Sequence, residues 1–389
     1  MEKTLVVQNG NHLADHCPVS LRLEDFDYQS AQLQLRDLTT GRVVAHQLEP
    51  CVCSTSAKSL NFVADSLSPG EKREFELTDD PKHPWTDRVT IGEVDGDHAD
   101  VTLDGALFTA YQYGPAHVRP YCHPVIGPYG DPITRGYPMV KGVEGELEDH
   151  HHHKAFYVAH GDVGGSENWS EEKGHGFVRT RELKCTGGAV LGQIVALNDW
   201  VDADGRKACE ERRVYRIWAT PSSGRIVDLR ITFIASEGDL KFGDTKEGGL
   251  CSLRLHSHSK LGSVITSPTG ALTAEGTPDE TWGKRFHWLD HSGPVKGKWC
   301  GATIMDTPGN FRYPTYWHVR TNGMMTANPF GLSYYYDDPS VDGSHTVPAG
   351  ESLTFRYRVY FHAGCAAQGK VAEKYNNYVY GPTLVQLKE

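Results

Sequence analysis

The stretch "EDHHHHKAFYVAHGD", residues 148–162, packs five histidines into eleven positions. Imidazole is the side chain whose ordinary pKa suits proton transfer near neutrality, and it is also a common metal ligand. In an extended run His150, His152 and His160 point one way, and His151 and His153 the other. Alternate residues on a strand stand roughly 6.5–7 Å apart, so a His-x-His pair reaches one substrate atom or one metal ion. Four adjacent histidines cannot all serve one site, so at least one is expected to be solvated surface.

Three further segments concentrate polar chemistry. In "AHVRPYCHPVIGPYGDPITRGYP", residues 116–138, prolines deny a regular ladder, and Arg119, Tyr121 and His123 share a face if the chain is extended. In "FGDTKEGGLCSLRLHSH", Glu247 beside the cation Lys246 is a candidate poised carboxylate, and the strand that follows carries Arg254, His256 and His258 on its polar face. A solvated hairpin loop accounts for those charges equally well. In "DTPGNFRYPTYWHVRTNGMMTANPFG", residues 306–331, Asn310, His318, Arg320 and Asn328 are interleaved with aromatic residues including Trp317. Tyr316, His318 and Arg320 share a face opposite Trp317 and Val319. Aromatic faces beside Asn, Arg and His suit a sugar, since rings stack on C–H faces and polar groups bond hydroxyls and carboxylates. An aromatic core with polar edges is the competing account for Trp317.

The elements that must position these groups read as strands. In "RIVDLRITFIAS", Val227, Leu229, Ile231 and Phe233 alternate with polar residues, and "SLTFRYRVYFHAG" alternates in the same way. Turn signals at 94–97, 202–205, 221–224 and 267–270 punctuate the pattern. Only "GKVAEKYNNYVYG" reads as helix. An all-β fold follows: a large antiparallel β-sandwich with very little helix. The polar, proline-containing stretch 76–88 divides a small N-terminal β-unit, residues 1–85, from the main sandwich, residues 86–389, which carries the site.

Composition narrows the function classes. A net charge of −11 with no Lys/Arg cluster argues against a nucleic-acid partner, and none is expected. No segment approaches the roughly 20 apolar residues of a membrane helix, and the first residues carry no apolar signal region, so no membrane partner and a cytoplasmic location are expected. Nine cysteines without CxxC spacing, the nearest pair being Cys51 and Cys53, read as free thiols. The Rossmann glycine fingerprint and the P-loop are both missing, so no nucleotide cofactor is expected. Oligomeric state is not legible.

The four polar segments together resemble a bacterial family known as PmoA-like or "methane oxygenase". The resemblance spans nearly the whole chain through "RPYCHPVIGPYGDPITRGYPM", "DHHHHKAFYVAHGDV", "DTKEGG", "WGKR", "PTYWHVR" and "NPFG". It places His150, His152 and His153 on family positions and puts His151 where proline is usual, so His151 is the expected surface residue. A membrane methane monooxygenase subunit needs transmembrane helices, which this chain lacks, so methane oxidation is set aside. The resemblance implies carbohydrate catabolism, since such proteins occur beside sugar oxidoreductases. The all-β character is also similar to the supersandwich folds of galactose mutarotases and polysaccharide-lyase domains.

The resulting expectation is a carbohydrate-active enzyme, a lyase or hydrolase of a glycoside or an oxidised (keto or uronic) sugar. A carbonyl or carboxylate acidifies the neighbouring C–H, which a neutral histidine can deprotonate. His152 or His150 is the expected base, with His123, His160 or His318 as the second acid–base group. Arg119, Arg320 and Lys246 would meet negative charge, and Glu247 would bind hydroxyls or ligate a metal. Trp317 and Tyr121 would stack on the sugar. The spacing permits a divalent metal ion held by histidines and a carboxylate, without requiring it. The rivals are a sugar epimerase or mutarotase, a non-catalytic carbohydrate-binding protein, and a structural β-module. The last predicts that the polar segments do not converge.

Overall fold

Period-two alternation becomes burial in the computed structural model, which describes residues 2–24, 33–50, 57–79, 85–272 and 281–388. In the strand Gly224–Ile234, Val227, Leu229, Ile231 and Phe233 are all at most 3% exposed, while Arg230 faces solvent. Each such side chain removed from water contributes about 1.5–3 kcal/mol, which fixes the register of the strand against its neighbours.

The described residues form antiparallel sheets of eleven, nine, five and three strands. The two large sheets pack face to face. Val158, Leu253 and Met325 from one meet Ile231, Ile304 and Val359 from the other in a shared apolar core. The outer face of the nine-stranded sheet, including Trp218, Met305 and Tyr360, is covered by the helix Val371–Val379 through Val371 and Tyr375. That is the segment whose pattern reads as helix in the sequence.

The N-terminal residues build their own core from Leu5, Leu21, Leu35, Phe62, Phe75 and Leu77. The chain's last strand, Thr383–Lys388, returns to pair with Glu2–Gln8 and closes that sheet. Arg216 of the large sandwich reaches across to Glu49 and Asn61, each at 2.9 Å. The centre of the stretch 76–88, residues 80–84, lies outside the described residues, as do Cys51 and Cys53; the seven described cysteines are free thiols.

Four neighbouring strands of the eleven-stranded sheet matter for function: Phe156–Val163, Gly248–Arg254, Met324–Ala327 and Trp317–Val319. Their packing explains the paired glycines of "TKEGG". A Cβ on Gly249 would lie 1.9 Å from Ser252 Oγ and 2.0 Å from Thr326 Oγ1, two hydroxyls that bond each other across the strands at 2.6 Å. Even alanine at this position would have to displace that hydroxyl pair.

Candidate active site

Alternation sorts side chains between the core and the outer face of this sheet. Phe156 and Val158 enter the core between the sheets, so Tyr157 and Ala159 face outward. There they meet Tyr121, Trp169 and Met324 in a small apolar cluster that floors the site. On the edge strand Trp317 and Val319 are core, which turns His318 and Arg320 toward the same outer face.

The histidine run itself is not a strand. His150 and Ala155 take φ values of 44° and 48°, and the His153 N–H donates to the His150 carbonyl at 3.0 Å. Left-handed backbone at a non-glycine residue costs about 1–2 kcal/mol, and such strain tends to collect where side chains must be aimed. The turn gathers three rings: centroids are 4.4 Å apart for His152–His153, 5.0 Å for His150–His153 and 5.8 Å for His150–His152.

These three imidazoles border a cavity of about 320 Å3. Trp169 and Ser170 form one wall, Lys246 and Glu247 another, and His318 with Arg320 a third; Asn322 and Met324 complete it. His318 sits between two indoles, stacked on Trp169 at 6.2 Å and edge-on to Trp282 at 4.8 Å. A second cavity of about 330 Å3 lies against the N-terminal unit, lined largely by Val43, Val44, Phe62, Leu67 and Phe75. It has no convergent imidazoles, and Arg73 in its wall is already held by Asp37 and Glu71.

Hydrogen-bond partners fix the histidine tautomers. His318 Nδ1 lies 2.8 Å from the Lys246 carbonyl, which only accepts, so Nδ1 carries the hydrogen and Nε2 the lone pair. His153 Nδ1 lies 3.2 Å from Arg254 Nη1, which only donates, so the hydrogen is on Nε2. His150 Nδ1 is 3.2 Å from Asp149 Oδ2, an ion-pair contact rather than a hydrogen bond, so charge attraction and not a shared hydrogen links the two. His150 is also the solvent-exposed member, with its side chain 51% accessible. His152 Nδ1 is buried without a partner.

The site keeps its inner imidazoles neutral. Burial, reinforced by Arg119 and His150, lowers His152 to about 3. Burial with Arg320 lowers His318 to about 3, and burial with His152 and Arg254 holds His153 well below its ordinary value. Burial and the neighbouring Arg135 pull Arg254 down to about 9, so it stays cationic at neutral pH.

Behind the cavity two carboxylates organise the wall. Asp149 Oδ1 receives Arg135 Nη1 at 2.6 Å and also Arg254 Nη2, while Asn322 Nδ2 approaches Oδ2 at 3.5 Å. Glu171 receives Arg119 Nη1 and Lys154 Nζ, each at 2.9 Å. Arg119 then donates to the carbonyls of His152 and Trp169, so it pins the two walls together from behind.

Residues 98–376, a span that includes all of these groups, match the family described as "Family of unknown function (DUF6807)". The chain belongs to this family. The description of DUF6807 assigns no activity. No curated protein matches the sequence. Among solved structures, the DUF6807 chain is similar to a glycosyl hydrolase family 38 protein from Enterococcus faecalis, with a TM-score of 0.43 and 10% identity over 96% of this chain and 46% of that one. The chain thus spans about half the length of that protein. It is also similar to galactose 1-epimerase from Lactobacillus acidophilus (TM-score 0.28, 8% identity, 72% of this chain and 99% of that one). A galactose mutarotase related enzyme from the same organism matches at TM-score 0.28 and 9% identity, over 71% of this chain and 98% of that one.

Of the residues expected from sequence, His150, His152, His318, Lys246, Glu247 and Arg320 converge on the cavity. The others stand elsewhere. His160 has the parity of Phe156 and Val158, so it points into the core between Phe242 and Phe330 and donates from Nε2 to the Gly243 carbonyl at 3.0 Å. Its expected alignment with His150 and His152 fails because the turn at 150–155 resets the alternation. Trp317 is fully buried with its N–H on the Phe286 carbonyl, and the indoles at the site are Trp169 and Trp282. Arg119 and Tyr121 lie beneath the cavity as support and floor. His123 is buried outside the cavity lining, where burial lowers it to about 4 despite the influence of Glu146. Asn310 braces a turn through Asp306 and Arg356, and Asn328 holds the Lys246 loop by donating to the Thr245 carbonyl at 2.9 Å.

Sequence reasoning missed the roles of Asp149, Trp169 and Asn322 and of the salt-bridged Arg254. Asp149 opens the histidine motif and Arg254 lies on the polar face of its strand, so both were within reach of it. Trp169 follows the short strand Ser166–Asn168 and Asn322 lies within a turn, and neither carries a comparable signal. Among the described residues no three His, Cys, Asp or Glu side chains are grouped as metal ligands, and no helix is long and apolar enough to cross a membrane.

Proposed function

We propose that this DUF6807 protein is a carbohydrate-active enzyme that cleaves a glycoside of an oxidised sugar by proton abstraction and elimination, a lyase. The observation that carries the reading is the convergence, on one cavity, of histidines held in opposite tautomers beside Lys246 and Arg320.

His150 Nε2 removes the proton next to the sugar's carbonyl or carboxylate, and Asp149 stabilises the imidazolium that forms. The freed electron pair becomes a carbon–carbon double bond and expels the glycosidic oxygen, which takes the same proton back from His150. Charge that builds on the acidifying group is met by Lys246, Arg320 and the His153 Nε2–H. A histidine kept neutral can act there as a hydrogen-bond donor, which is the use its strongly lowered pKa allows. Trp169 and His152 shape the wall against which the ring lies.

The test is a panel of uronate and keto-sugar glycosides, scored by ultraviolet absorbance of the conjugated product. The parent protein should turn over at least one member. His150→Ala should lose roughly 10²- to 10⁴-fold in kcat with KM nearly unchanged. Sugar binding without product from any member would make the protein a carbohydrate binder.

A further inference from the structure

The charges around the cavity do not balance, and the imbalance repeats. Arg135 and Arg254 share the single carboxylate of Asp149. Arg119 and Lys154 share Glu171. At the rim, Lys246 and Arg320 have only Glu247 between them. Three times over, two cations share one carboxylate, with Glu146 near Arg135 and Glu167 near Arg119 offsetting part of the excess, and burial keeps His152, His153 and His318 neutral. The whole chain carries −11, so this local excess of positive charge runs against the composition.

Buried polar groups around the cavity are also left without partners. The Trp169 indole N–H is 1% exposed and has no partner, and Arg254 Nε is likewise buried and unpartnered. Arg320 lies flat over the Trp282 ring at 3.8 Å, and among the described residues it makes no ion pair with a carboxylate. A buried donor without an acceptor costs about 1–3 kcal/mol. A guanidinium fixed by stacking presents a planar fork that matches a carboxylate better than a hydroxyl.

We infer that the cavity recognises a carboxylated sugar, a uronate, with Arg320 and Lys246 as the residues that select its carboxylate over the hydroxymethyl group of a neutral sugar. The inference rests on the carbohydrate reading above and narrows it. The carboxylate supplies the acceptor that the stacked Arg320 guanidinium lacks. The same group acidifies the neighbouring C–H that His150 would attack, so recognition and activation fall on one substituent. Arg320 and His318 are alternate residues on one strand face, roughly 6.5–7 Å apart, about the span of one sugar ring with its substituent.

The experiment is calorimetric binding of methyl glycosides of glucuronate, galacturonate, mannuronate and guluronate to the full chain. Each is compared with its neutral counterpart and with the matched 6-phosphate, at low and high salt. At least one uronate should bind about tenfold or more tighter than its neutral partner, with the margin shrinking as salt rises. Arg320→Gln with Lys246→Gln should bring the margin within about threefold, and Arg320→Lys should restore part of it. Both positions are partly exposed, so folding is checked by circular dichroism. No margin for any uronate, a margin that survives the double variant, or stronger binding of the phosphate overturns the inference. Uronate selectivity without turnover leaves it standing and sinks the lyase reading. Turnover of neutral keto-glycosides without uronate selectivity does the reverse.

Discussion

Asp149→Asn is the most informative single change, because this one side chain joins both arginines to His150. Oδ1 receives Arg135 and Arg254, and Oδ2 faces His150 Nδ1 at 3.2 Å. An amide NH2 cannot face two guanidinium groups, so it takes the Oδ2 position and points at His150. Nδ1 then faces an N–H in place of a negative oxygen, which favours the hydrogen on Nε2 and weakens the proposed base. The stability cost follows from the arginines, whose side chains are 1% and 0% exposed. Breaking a buried pair costs about 3–5 kcal/mol, but the Asp149 side chain is 37% exposed and partly screened, which reduces the figure to about 1–3 kcal/mol. For a chain of this size that is a Tm lower by roughly 1–4 °C.

The assay is long-range 1H–15N NMR on protein labelled at histidine, with the His150 signals assigned by their loss in His150→Gln. In the parent, Nδ1 of His150 should be the protonated nitrogen; in Asp149→Asn it should be Nε2, with His153 unchanged because Arg254 still donates to it. Turnover should fall roughly 10²- to 10⁴-fold. A variant that melts early but keeps the parent tautomer refutes the role of Asp149 in setting the base. A variant matching the parent in both respects refutes the junction altogether.

Burial also makes stability depend on pH. His160, His291 and His318 are lowered to about 4, 4 and 3 by desolvation, so between about pH 6.5 and 4 the unfolded chain binds their protons and the folded chain does not. Their contribution is complete above pH 6.5 and falls on acidification at up to about 1.4 kcal/mol per pH unit each, which a Tm series from pH 8 to 4 would read as a steep loss below 6.5. A flat series would show that these histidines are protonated in the fold. Trp317→Phe should destabilise by about 1–3 kcal/mol in denaturant titration through lost core volume and its N–H bond, with sugar affinity unchanged; a loss of affinity would return Trp317 to the site. Trp169→Phe should weaken ligand binding severalfold in calorimetry as well as lower Tm through lost packing volume, with no hydrogen-bond loss because its N–H has no protein partner.

What the sequence showed and what it hid follow from one physical rule, that alternation persists only while the backbone stays extended. Along Gly224–Ile234, and in the split of His318 and Arg320 from Trp317 and Val319, the chain stays extended, and period-two reasoning assigns each side chain to its face. Through residues 150–155 it does not. Two left-handed residues turn the chain, and the alternate faces assigned to His150, His152 and His153 collapse onto one cavity while His160 is carried into the core. Residue type offers little warning: histidine is enriched in left-handed backbone, but four in a row do not say which one turns, and alanine at 155 gives no signal at all. The same limit hid Asp149 as the junction. Its importance lies in contacts to Arg254 and Asn322, more than a hundred residues away, brought together only because the strands that carry them are neighbours in the sheet. A sequence pattern can say which residues could do proton chemistry. The partner on the far nitrogen decides whether an imidazole gives a proton or takes one, and here that partner is a carbonyl for His318 and a guanidinium for His153, while His150 has a carboxylate at ion-pair distance.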